Sequence, residues 1–228
     1  ELWPKDMQHN ETHEVIGGLL ARQISLINQM AANPTCWNSH VAPLYLRAMA
    51  DVHISLAWII KNPNERAAKF IEYGLGQMKL NLEHTKQQAR NAGVDPEQDK
   101  FIKEFEDYIN SQKLTMLTEI NFGNWSDLNT RKMADEANCK DLYNYTYTPF
   151  SATVHSTWQH ILQNNLRTCN NPLHRFHRIP YDWVVKPDAY YFYLASCLLQ
   201  RSFNIFDNTF GINITRRFAY SILHDKVV

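Results

Sequence analysis

Glycine and proline are scarce, at 7 and 9 of 228 residues. Sandwiches and barrels need both at their many reversals, so the shortage excludes a chain of short strands and leaves an all-α fold as the expectation. Closely spaced cysteines are missing as well. Cys36, Cys139, Cys169 and Cys197 stand far apart with no CxxC pair, which fits reduced thiols in a cytoplasmic protein better than a disulfide framework. No apolar run suits a membrane, because the most apolar stretch, 41–60, carries Arg47, Asp51 and His53, each costly in hydrocarbon. The opening residues Glu1-Leu2-Trp3-Pro4-Lys5-Asp6 have neither the basic nor the apolar region of a secretory signal, so a cytoplasmic location without membrane partners is expected. Finally, there is no excess of either charge: 23 Lys and Arg balance 23 Asp and Glu. That excludes a broad basic surface, and any phosphate site must be local.

What is present is a helical period. With 44% hydrophobic residues the chain can bury a large core, and apolar side chains recur three and four apart along most of its length. The expectation is a single helical domain over 1–228, an antiparallel bundle of about seven to nine helices. Four long helices occupy 10–121. They run from about Asn10 to Met30, Pro43 to Ile60, Glu65 to Ala92 and, after an Asp95 N-cap and Pro96, to about Ile120. Shorter helices fill 124–228: Leu128 to Ala137, Asp141 to Tyr147, Thr148 to Leu166, Asp188 to Asn208 and Asn213 to Leu223. Between them, Thr168 to Pro187 is a long connection rich in Asn and Pro, longer than ordinary loops and so functional or partly ordered.

Three groups of residues carry chemistry. In the first, Tyr143, Tyr147, Ser151 and His155 recur every four positions. Pro149 argues for a break, with Thr148 as N-cap, which would put Ser151 in a first turn suited to an anion and His155 one turn on. A Ser and a His there could bind a phosphate and move a proton, with His155 as general base and Tyr147 as a phosphate or ribose contact. The same spacing also describes a buried polar stripe. In the second group, Arg47 and Asp51 lie four apart within the most apolar helix, either as an ion pair bracing the core or as an arginine held ready for a substrate. The third group is the connection itself, where Arg167, His174, Arg175, His177 and Arg178 meet no acidic residue before Asp182. With Phe176, Tyr181 and Trp183 nearby for base stacking, it is a natural dock for a phosphate backbone. It also reads as a solvated loop. No zinc spacing, di-metal pattern or Gly-rich phosphate loop is visible, so neither a metal nor a cofactor is expected.

Three stretches in order carry a family resemblance. They are Trp37 through Pro43 to Leu46-Arg47-Ala48-Met49-Ala50-Asp51, then Gly123-Asn124-Trp125-Ser126 with Met133-Ala134, and finally Tyr143-x3-Tyr147-x3-Ser151-x2-Val154-His155. Together they resemble a bacterial all-helical family of unknown function built around Arg-Ala-x-x-Asp/Glu and Ser-x-x-Val-His helices. That family is in turn similar to the HEPN-like nucleotide-binding helical superfamily. The resemblance implies a homodimer acting on RNA, with active members being metal-independent ribonucleases of toxin and phage-defence systems. Those members place an Arg a few residues before a His, whereas Thr148 and Pro149 stand ahead of His155 here. Two functions therefore stay open: an RNA- or nucleotide-binding protein that cleaves its ligand, and a non-catalytic sensor or interaction module with a structural polar core.

Overall fold

The computed structural model describes residues 9–116, 126, 128–215 and 219–224. It is all-α apart from one two-stranded hairpin. The helices are α1 (Asn10–Ala32), α2 (Ala42–Ile60), α3 (Pro63–Asn91), α4 (Lys100–Met116), α5 (Thr130–Glu136), α6 (Lys140–Leu142), α7 (Thr148–Val154), α8 (Trp158–Asn164), α9 (Ala189–Phe210) and α10 (Ala219–His224). A π-helical segment, Tyr143–Tyr147, joins α6 to α7, and β1 (Leu166–Thr168) pairs with β2 (Arg178–Pro180). Two compact units are distinguished among the described residues: 9–16 with 62–116, 126 and 128–129, and 17–61 with 130–215 and 219–224.

In the second of these units, α2 is the central element. It packs against α5, α7 and α9, because it is apolar nearly all round: Leu46, Met49, Ile54, Leu56 and Ile59 have no exposed surface. Its start is organised by Asn38, whose Oδ1 accepts the N–H groups of His40 and Val41 at 2.9 and 3.1 Å, with Pro43 in the first turn. The other unit has a core of its own in which Leu82 of α3 meets Ile102 and Ile109 of α4, flanked by Met78 and Phe105.

Caps explain most helix limits. Asp188 precedes α9 and its Oδ1 accepts the Tyr190 N–H at 2.9 Å. Gly211 ends α9 in the left-handed region, φ 62°, which favours glycine. A Cβ at Gly211 would touch nothing, so Gly211→Ala is expected to cost about 1 kcal/mol through backbone conformation alone, read as a lowered urea midpoint. The fourth helix departs from expectation: Asp95 and Pro96 begin only a short 3₁₀ turn, Pro96–Gln98. Asp99 then caps α4 by accepting the N–H groups of Phe101 and Ile102. Its expected end near Ile120, and the Gly123-Asn124-Trp125 stretch, lie outside the described residues.

The expected break at Thr148–Pro149 is also corrected. The backbone stays helical through Tyr147 and Thr148, and the Thr148 N–H reaches the Tyr143 carbonyl, the wider spacing of a π turn. Proline has no N–H to contribute, and the wider turn relieves the clash its ring would make with the preceding carbonyls. The interruption comes later, where Ser156 takes φ 46° and separates α7 from α8. The long connection contains secondary structure as well, the β1–β2 hairpin.

Candidate functional site

Arg47 on α2 lies 104 residues from Ser151 on α7, yet the packing of the two helices makes them neighbours. The arginine Nε donates to Ser151 Oγ at 2.9 Å, while one terminal nitrogen forms an ion pair with Asp51, one turn along the same helix. The guanidinium lies over the Tyr147 ring, 3.2 Å from its centre, and Tyr143 stacks on Tyr147 at 4.8 Å. Ser151 Oγ in turn donates to the Tyr147 carbonyl at 2.7 Å, and the Tyr147 hydroxyl meets Thr130 Oγ1 at 3.3 Å. Thr130 is a member of this group that no sequence pattern singled out.

The electrostatics follow from the burial. The Arg47 side chain is 13% exposed and that of Asp51 46%. Burial lowers the pKa of Arg47, an effect that the facing Tyr147 and Tyr143 oppose, and arginine remains a cation regardless. Its charge is balanced by Asp51 and spread over an aromatic face. The arrangement joins α2 to α7 and commits the guanidinium to Ser151, Asp51 and the Tyr147 face. Asp51→Asn is expected to lower stability by about 1–2 kcal/mol, because the largely buried Arg47 cation loses its charge partner and keeps only neutral contacts, while position 51 itself is half-exposed. Urea unfolding measures it.

His155 is placed differently from the other members of its stripe. It is the residue that ends α7, φ −97° and ψ 6°, and it is exposed. Among the described residues its side chain has no hydrogen bond to Arg47, Asp51, Tyr147 or Ser151. Ser151 itself sits within a continuous helical path, so the expected free helix N-terminus beside it does not exist. The unbroken polar stripe is the better description of Tyr143, Tyr147 and Ser151.

The hairpin is the second locus. Its register pairs Leu166 with Pro180, Arg167 with Ile179 and Thr168 with Arg178. Side chains alternate across a strand, so Arg167 and Arg178 point to opposite faces. Arg167 lies over the Tyr181 ring at 4.4 Å, and Tyr181 meets Trp183 edge-on at 4.6 Å. At the turn, Arg175 and Phe176 both take left-handed backbone, φ 51° and 55°, unusual for side chains of their size. Phe176 is 70% exposed, and Arg167, Arg175 and Arg178 are all exposed. No described acidic residue pairs with any of the three. His174 departs from this set, since it is turned toward Cys169 and Asn171.

A model of a family of unknown function, DUF5677, matches residues 13–172. The match takes in Arg47, Asp51, Tyr147, Ser151 and His155 and ends inside the hairpin. No curated protein and no solved structure matches the chain. No described helix is long and apolar enough to cross a membrane.

Proposed function

Since the chain belongs to this family of unknown function, DUF5677, we propose its role from its own geometry: it binds single-stranded RNA through the β1–β2 hairpin. One observation carries the reading. In a chain of zero net charge, Arg167, Arg175 and Arg178 stand exposed on one hairpin beside Phe176, Tyr181 and Trp183. Exposed arginines neutralise phosphates, and aromatic faces stack on unpaired bases, the two components of single-strand binding. A duplex would offer its phosphates but not its base faces. The implied likeness to the nucleotide-binding helical superfamily agrees with a nucleic-acid ligand.

Binding rather than cleavage is what this geometry supports. A metal-independent ribonuclease needs a cation and a base directed at one phosphate. Here Arg47 is engaged by Asp51, Ser151 and Tyr147, and the exposed His155 side chain makes no hydrogen bond to that group among the described residues. The Arg47 cluster serves in this reading as the joint that holds α7 on α2.

Fluorescence anisotropy with a labelled, mixed-sequence single-stranded RNA tests the proposal. Arg175→Gln/Arg178→Gln is expected to bind about tenfold or more weakly than the unmodified protein, with Arg47→Lys unchanged. Equal binding by the hairpin variant would remove the proposal. No binding by either protein at low salt would favour the interaction-module reading instead.

A further inference from the structure

The hairpin turn also brings together three side chains of metal-ligand type. From Cys169, His174 and His177 the potential ligand atoms lie within 4.8 Å of one another. We infer that this loop is a binding site for a borderline-soft transition cation, zinc in particular, held by the Cys169 thiolate and the His174 and His177 imidazoles. The inference is independent of RNA binding.

The backbone explains the convergence. Cys169 and His177 face each other one step beyond the strand ladder, where the Cys169 N–H donates to the His177 carbonyl at 2.8 Å. Between them, Asn171 accepts the Leu173 N–H at 3.0 Å and starts the 3₁₀ turn Pro172–His174. The His174 carbonyl accepts the His177 N–H at 3.2 Å. Left-handed Arg175 and Phe176 fold the chain back, and the two imidazole rings come to 5.4 Å between centres.

One separation already suits a tetrahedral ion, and side-chain rotation within the 4.8 Å spread of the three ligand atoms brings in the third. With Zn–S near 2.3 Å and Zn–N near 2.0–2.1 Å, sulfur and nitrogen ligands of one zinc stand about 3.6 Å apart. Cys169 Sγ and His174 Nδ1 are 3.6 Å apart. One thiolate and two imidazoles match zinc better than magnesium or calcium, which take oxygen ligands. Three protein ligands leave a fourth position for water.

The proton balance is simple. Asn171 Nδ2 lies 3.1 Å from His174 Nε2, so in the metal-free tautomer Nε2 accepts from Asn171, while Nδ1 carries the proton and points it at the thiol sulfur. On metal binding the Cys169 thiol proton leaves to solvent, His174 shifts its own proton from Nδ1 to Nε2, and the Asn171 amide turns to accept it. The N–H of Leu173 then gives up its side-chain acceptor, a modest cost beside three metal bonds.

Cobalt titration of the whole metal-stripped chain tests the site, since Co²⁺ reports thiolate ligation by a charge-transfer band and tetrahedral geometry by its ligand-field bands. One equivalent should develop both, and Zn²⁺ should bleach them. Cys169→Ser should lack the charge-transfer band, His177→Ala should bind about tenfold or more weakly, and Cys36→Ser should behave as the unmodified protein. Far-ultraviolet circular dichroism establishes that each variant keeps its helices. Absence of a charge-transfer band in the folded wild-type chain, or its survival in Cys169→Ser, overturns the inference.

Discussion

As the pH falls from 6.5 toward 3, the protein is expected to lose about 1.4 kcal/mol of stability per pH unit through His53 alone. This histidine on α2 is 1% exposed, and its pKa is pushed down to about 3, first by burial and then by the Arg201 charge, with Asp141 opposing. The unfolded chain takes up a proton near 6.5 while the folded chain does not. Stability is therefore intact above 6.5 and declines until the folded state also protonates, near 3. The imidazole cannot escape easily, because Nδ1 lies 2.9 Å from Ser202 Oγ. That hydroxyl donates to the Leu198 carbonyl at 3.0 Å and accepts from Gln23 Nε2 at 3.0 Å, so it is left as the acceptor for a neutral Nδ1–H. His53→Gln should flatten this part of the pH profile and lower neutral stability by about 1–3 kcal/mol as the network is disturbed. Urea midpoints across the acid range give both numbers. An unchanged slope in the variant would mean that other groups cause the acid sensitivity.

The second large effect is expected at Phe176. Its ring is the most exposed aromatic surface on the proposed RNA-binding hairpin, and its backbone is already left-handed. Stacking of a base on such a ring contributes about 1–3 kcal/mol, so Phe176→Ala should weaken binding of single-stranded RNA by roughly five- to 150-fold. Thermal stability should hardly move, because the ring supports no core. A parallel measurement with duplex RNA should show little difference between the two proteins, since paired bases present no free faces. An equal loss with both ligands would indicate that the residue shapes the loop rather than stacking on a base.

The helices were legible in the sequence where one residue's chemistry decides them. The apolar spacing of Leu46, Met49, Leu56 and Ile59 predicts α2, and Asp188 marks the start of α9 whatever the tertiary context. Pro149 shows where that local logic stops. Judged against an α-helical ladder it is a breaker, but a π turn at Tyr143–Tyr147 accommodates it, and no residue in that segment announces the wider turn. Distance along the chain is the other obstacle. Arg47 and Asp51 are recognisable as a pair because they are one turn apart, whereas the Arg47–Ser151 contact spans 104 residues and the His53–Ser202 contact 149. The buried polar network of Gln23, His53 and Ser202 therefore has no local signature. Cys169, His174 and His177 are hard to recognise as ligands for a different reason. Their Cys-x4-His-x2-His spacing contains no CxxC pair, and only the left-handed turn brings the three together.

The most direct test of single-strand binding at the hairpin is the salt dependence of RNA affinity, with and without its arginines. Each phosphate contact to a single strand contributes about 0.7 to the slope of log affinity against log salt concentration. Arg167→Gln/Arg175→Gln/Arg178→Gln is therefore predicted to reduce the slope by about 2, with weaker binding at every salt concentration. A slope identical to that of the unmodified protein would contradict the account and place the RNA, if it binds at all, elsewhere on the molecule.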